Sequence, residues 1–160
     1  MLNLSPDQFT VREREAIAEI RAWRSRPEDE LHQMLLQHPA RAMQHFILKH
    51  HGHVKFRLHP VVAELAVELK TVERAFQKEF GKTMHQFVVE SRIAYARTLL
   101  LMTPPLKISV VANELGYEEP RDFHHFFEKL MHDTPAAWGR RERERSKRKV
   151  RIEEGTWKPN

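Results

Sequence analysis

Two short amphipathic stretches hold the side chains best suited to reading another molecule. In ELKTVERAFQKEF, residues 68–80, the apolar series Val72, Phe76 and Phe80 recurs at helical spacing and leaves Lys70, Thr71, Glu73, Arg74 and Gln77 on the outer and flanking faces. In PRDFHHFFEKLM, residues 120–131, Phe123, Phe126, Phe127 and Leu130 form the inward face, with Arg121, His124, His125 and Glu128 outside. Such side chains exchange hydrogen bonds with base edges or phosphates, and a helix fits the major groove of duplex DNA. Every amphipathic helix has a polar face, so polarity alone does not single out nucleic acid.

The two stretches belong to a repeat. VVAEL at residues 61–65 parallels VANEL at 111–115, and Val72, Phe76 and Phe80 parallel Phe123, Phe127 and Met131, with one extra residue in the second turn. Each copy is a short helix, a turn and a second amphipathic helix, the helix-turn-helix arrangement. Gly116 suits the left-handed conformation that ends the first helix of copy two. The repeat superposes Lys70 on Arg121, Glu73 on His124 and Arg74 on His125. Between the copies, Thr83 and Gln86 form a capping box, and Phe87, Val88, Ile93, Ala96, Leu99 and Leu100 carry a helix to about Thr103, where Pro104-Pro105 stops it. Such a spacer is roughly 30 Å long. Successive major grooves on one face of B-DNA recur every ~34 Å.

Three helices are expected ahead of the repeat. Ser5-Pro6-Asp7-Gln8 reads as a helix start, giving a helix over residues 6–24 with Phe9, Ala16, Ile17, Ile20 and Trp23 on its stripe. Pro27 to Glu30 opens a second, with Leu31, Met34 and Leu35 on one face. Pro39 starts a third, with Ala42, Met43, Phe46 and Ile47 inward, ending near His51-Gly52. Trp23 and Trp138 are expected to pack and Trp157 to be exposed. Arg92 either pairs with a buried acid or is solvated.

Composition narrows the function classes. The 160 residues suit one ordinary domain or two small lobes, and 5 Gly with few β-branched runs argue against a sheet. Without Cys there is no disulfide, thiol nucleophile or cysteine-ligated zinc. Of the 11 His, HHGH at residues 50–53 and the pair His124-His125 are the clusters, but they lack carboxylates at ligand spacing, so neither a metal nor another cofactor is expected. No Gly-rich phosphate loop and no nucleophile with a base suggest an enzyme. The N-terminus lacks a long apolar core, and RIAYARTLLLM is interrupted by Arg92 and Arg97, so a soluble cytoplasmic protein with no membrane partner is expected. Residues 139–160 hold nine Lys/Arg and four Asp/Glu, while residues 1–138 carry 18 of each sign and no net charge. That tail is expected to be frayed or disordered, serving as an electrostatic anchor on DNA or as a solubilising end.

Residues from about 39 to 138 resemble the DNA-binding domain of the AraC/XylS family of transcription regulators. ERAFQKEFGKTMHQFVVESRIAYARTLL is similar to the family's first motif at Arg74, Phe76, Gly81, Arg92, Ala96, Leu99 and Leu100. ISVVANELGYEEPRDFHHFFEKLMHDTP resembles its second signature at Ile108, Ala112, Gly116, Tyr117, Phe123, Phe127 and Pro135. The resemblance implies an all-α fold of two helix-turn-helix lobes joined by a long connecting helix, with extra N-terminal helices here. It implies base contacts at Lys70, Glu73 and Arg74, and at Pro120, Arg121, His124 and His125. It departs from the family at Ala66, where Gly is common, at Glu68, where Ser usually caps, and at His132, where Gly is usual. An Ala at 66 is tolerable if the turn avoids positive φ.

The expectation is therefore three segments: an N-terminal helical extension (1–38), the double helix-turn-helix domain (39–138) and the basic tail (139–160). The expected function is reading a bipartite duplex site to regulate transcription, more often by activation through RNA polymerase than by repression. The competing reading is a helical protein-interaction module with weak or no specific DNA binding. Residues 1–38 are too short for the β-barrel effector domain of many relatives; they are expected to pack on the domain, with self-association or a protein partner as alternatives.

Overall fold

Helix-forming periodicity recurs along the chain as far as Trp138, and the computed structural model, which describes residues 8–156, contains nine helices and no strand among those residues. They are α1 (Val11–Arg24), α2 (Glu30–Gln37), α3 (Pro39–Lys49), α4 (Leu58–Glu64), α5 (Leu69–Phe80), α6 (Met84–Leu100), α7 (Ile108–Glu114), α8 (Pro120–Met131) and α9 (Pro135–Thr156). The chain divides into two compact units between Arg92 and Ile93. No helix among the described residues is long and apolar enough to cross a membrane.

In the first unit, α1 packs on α2 and α4, and α3 packs on α2, α4 and α5. One continuous core takes Ala16, Ile20 and Trp23 from α1, Leu35 from α2, Met43, Phe46 and Ile47 from α3, Val61 and Val62 from α4, and Val72 and Phe76 from α5. Met84 and Val88 from the start of α6 close it. Trp23 stacks on Phe46 with ring centroids 5.1 Å apart. Helices α1 and α2 thus lie in the same core as the helix-turn-helix of α4 and α5.

The start of α1 differs from expectation. Ser5, Pro6 and Asp7 lie outside the described residues, as does Trp157. The helix begins at Val11 because Thr10 forms a full capping box with Glu13, each side chain satisfying the other's backbone N–H. Glu13 is completely buried and accepts from Arg57 Nη2 at 2.7 Å, Arg57 Nε at 3.0 Å and the Arg57 backbone N–H at 3.0 Å. One carboxylate therefore caps α1 and ties it to the residue that precedes α4. In α2, which starts after the cap Asp29, Leu31 is 60% exposed, while Met34, Leu35 and Leu36 face the core.

Gly52 ends the turn after α3 with φ +61°, and a Cβ there would lie 2.2 Å from the Val88 carbonyl oxygen. This close approach brings Arg92 Nε to the Gly52 carbonyl at 2.7 Å. The hydrogen bond shown for Arg92 is thus to a backbone carbonyl, where a buried acid is one expectation from the sequence.

In the second unit, Ala96, Leu99 and Leu100 of α6, Val111 and Ala112 of α7, Leu115 just after it, Phe123 and Phe127 of α8 and Trp138 of α9 form the core. Trp138 meets Phe127 edge-on at 5.7 Å, and the Arg97 guanidinium lies over the Trp138 ring at 5.6 Å. Residues 139–156, expected to be frayed, instead continue helix α9. Thr134 Oγ1 accepts from the Ala137 N–H, Pro135 occupies the first helical position, and the Arg143 guanidinium donates to the Leu100 carbonyl. With its first turns docked, the costly nucleation is complete, and a run of Arg, Glu and Lys propagates the helix.

Removing Arg57 leaves a buried, unpaired carboxylate, so Arg57→Ala should lower unfolding free energy by about 3 kcal/mol in urea titrations, and Glu13→Gln by less, because Arg57 can reach solvent. Burial, then Arg12 and Lys49, push His50 down to about 4 from its ordinary 6.5. The unfolded chain therefore takes up a proton near pH 6.5 that the folded chain refuses until about 4. Stability should fall as pH drops through that window, and His50→Phe, stacking likewise on Phe56, should reduce the dependence while leaving the share of His53, which burial also pushes down to about 4.

Candidate nucleic-acid interface

Each unit contains one helix-turn-helix, and their backbones follow the same plan. The first helices, α4 and α7, are both seven residues, and α5 and α8 are both twelve. After α4 the chain turns at Ala66 with φ +58°, and after α7 at Gly116 with φ +91°. The second helices end at Gly81 with φ +71° and at His132 with φ +55°. The family Gly positions are therefore left-handed in both copies. The condition under which Ala66 would be tolerable, a turn that avoids positive φ, is not met: its backbone sits in a conformation that costs an L-residue roughly 1–2 kcal/mol.

Burial decides which face of each second helix is presented. In α5, Val72 and Phe76 are buried against the first core. Lys70, Thr71, Glu73, Arg74 and Gln77 are all exposed. Lys70, Glu73, Arg74 and Gln77 recur three and four residues apart and so share one face, with Thr71 beside it. Arg74 Nε reaches the Lys70 carbonyl at 3.4 Å, which directs the guanidinium along the first turn of the helix. Glu73 and Gln77 also line a cleft of about 500 Å³ with His59, Leu69, Thr83 and His85. His59 and His85 escape a reading of the sequence because they sit on α4 and α6, and nothing in their spacing links them to α5.

In α8, Phe123 and Phe127 are fully buried. Pro120, Arg121 and His125 are exposed, and His124 is half-buried at the edge of the same face. Leu130, expected inward, is 39% exposed. Phe123 and Phe127 already fill the seam, and Tyr117 packs on Phe123 and Phe126 at 5.9 Å, so the inward stripe closes without Leu130. Asp122 also projects from the first turn, and Glu118 and Glu119 precede it, so the cation Arg121 stands among acids.

Lys70, Glu73 and Arg74 lead α5 at the positions that Arg121, His124 and His125 hold in α8. Both faces present donors and acceptors of the kind that exchange bonds with base edges, and neither α5 nor α8 has a side chain capping its first turn. Among the described residues, no group of three or more His, Asp or Glu is arranged to hold a metal ion.

A family model described as a helix-turn-helix domain matches residues 61–141. The xylose operon regulatory protein of Escherichia coli (strain K12) is 25% identical over 103 residues, which are 64% of this chain and 26% of that protein. The chain thus spans about a quarter of that relative's length. Among solved structures, the C-terminal domain of AraT, a response regulator from Geobacillus stearothermophilus, is 28% identical with a TM-score of 0.57, covering 63% of this chain and 83% of that one. The xylose-binding transcription activator xylR is 25% identical with a TM-score of 0.53, covering 63% and 26%.

The strain at residue 66 is directly testable. Ala66→Gly should raise unfolding free energy by about 1 kcal/mol and Gly116→Ala should lower it by a similar amount, because each exchange relieves or introduces a side chain at positive φ. Chemical denaturation of the two variants checks both signs.

Proposed function

Because the chain belongs to the AraC/XylS-type helix-turn-helix domain family, we propose that it is a sequence-specific duplex-DNA-binding transcription regulator that reads a bipartite site, one half with α5 and the other with α8. The observation that carries this reading is the duplicated outward face: polar side chains at matched positions of two helices whose opposite faces are buried. Lys70, Arg74 and Arg121 supply donors suited to guanine or phosphate. Glu73 suits the cytosine amino group, and His124 and His125 accept or donate according to tautomer. Gln77, on the same α5 face, suits adenine and Thr71, beside it, suits phosphate, and Pro120 contributes a rigid first turn without an N–H of its own.

Activation is the regulatory mode we infer, supported by the name of the relative described as a transcription activator, and we propose contact with RNA polymerase as its route. Membership in a family of transcription regulators supports a cytoplasmic, non-catalytic role. One observation favours a second reading, a protein-interaction module: residues 1–138 carry no net charge, and Glu73, Glu118, Glu119 and Asp122 stand close to the proposed contacts.

On a duplex carrying the preferred site, Arg74→Ala and Arg121→Ala should each weaken binding by about 1–3 kcal/mol and relax selectivity at different base positions, one in each half-site. Titration against duplexes with single base-pair changes measures both effects. Unchanged affinity in folded variants would exclude base reading by these side chains.

A further inference from the structure

Helix α9 extends well past what the second core requires. Trp138 and Gly139 are buried, and Arg143 is tied to Leu100, but from Glu144 to Gly155 every residue is exposed. Residues 140–151 carry eight Lys/Arg and two Glu, whereas residues 1–138 are neutral. Some of these charges have internal roles: Arg141 pairs with Asp133 at 2.6 Å and Lys147 with Glu144 at 3.3 Å. Arg145, Arg148 and Lys149 form no ion pair among the described residues, and their spacing places all three on one face of the helix. Like charges three and four residues apart cost helix stability. No ion pair among the described residues offsets that cost at these three positions.

We propose that Arg145, Arg148 and Lys149 bind the phosphate backbone of the duplex independently of sequence, adding affinity to whatever bases α5 and α8 select. This rests on the DNA-binding reading of those helices. Three unpaired cations on one helix face match a polyanion with regularly spaced charges, and they supply electrostatic attraction that residues 1–138, with no net charge, lack. A lipid surface fits less well, because Val150 and Ile152 lie on opposite sides of α9 and make no continuous apolar face to insert. Val150 instead lines a groove with Leu101 and Thr103.

The test compares the full chain with the triple variant Arg145→Gln, Arg148→Gln, Lys149→Gln, which keeps helix propensity. Each protein is titrated with a duplex carrying the preferred site and with a scrambled duplex, between roughly 50 and 200 mM salt. The plot of log affinity against log salt should become shallower by about 2.7 for both duplexes, at about 0.9 for each phosphate that the variant no longer neutralises. The ratio of the two affinities should stay unchanged, and a charge-preserving variant, Arg145→Lys with Arg148→Lys, should retain the original slope. An unchanged slope in the triple variant overturns the proposal and leaves α9 as a surface for an acidic protein. A loss confined to the preferred duplex also overturns it, because those side chains would then be reading bases. If the parent protein fails to distinguish the two duplexes and the triple variant still flattens the slope, the α9 contact stands and the sequence-specific reading falls. No binding to either duplex by the parent overturns both.

Discussion

The arrangement depends on the burial of two residues, one turn apart, in each second helix: Val72 and Phe76 in α5, Phe123 and Phe127 in α8. Fully burying such side chains is worth roughly 1.5–3 kcal/mol each, more than any single exposed contact on the opposite face returns. Packing therefore sets the rotation of each helix, and rotation decides which side chains face outward. Lys70, Glu73, Arg74, Arg121 and His125 are thereby left exposed, with His124 half-buried at the edge of the α8 face.

The first unit shows how far that scaffold extends. Helices α1 and α2 contribute Ile20, Trp23 and Leu35 to the same core that holds α5 in place. The Glu13 carboxylate, which burial alone would shift upward, is held below its ordinary range by hydrogen bonds and charge from Arg57 and the Thr10 N–H. Arg21 and Arg24 add a second tie, both at 3.0 Å from Glu64 of α4. These contacts make the N-terminal helices part of the support for the first helix-turn-helix.

Much of this is legible in the sequence because it rests on periodicity. The repeat, the outward faces and the Thr83–Gln86 box follow from spacing and turn chemistry that need no tertiary knowledge, as does a break ahead of Pro104-Pro105, although α6 ends at Leu100 and not near Thr103 as its spacing suggests. The differences have a common origin in contacts distant in sequence. Ser5-Pro6 offers a local capping signal similar to that of Thr10, and the carboxylate that favours Thr10 is bound by Arg57, far along the chain from Glu13. The positive φ of Ala66 is imposed by the route between α4 and α5, against local preference. Helix α9 reads as a solvated tail because its composition lacks an apolar stripe, yet docking of Trp138 and Arg143 supplies the nucleus that composition does not reveal. Leu130 has the right spacing for burial, but Phe127 and Tyr117 already fill the seam that this spacing would have it join.

The most direct test of the account is selection by the purified chain from a random duplex library, followed by sequencing of the enriched DNA. Two outward faces set by matching buried pairs predict two separate blocks of enriched sequence, one assignable to α5 and one to α8. A library that shows no enrichment, or a single block, would contradict the claim that both faces read DNA.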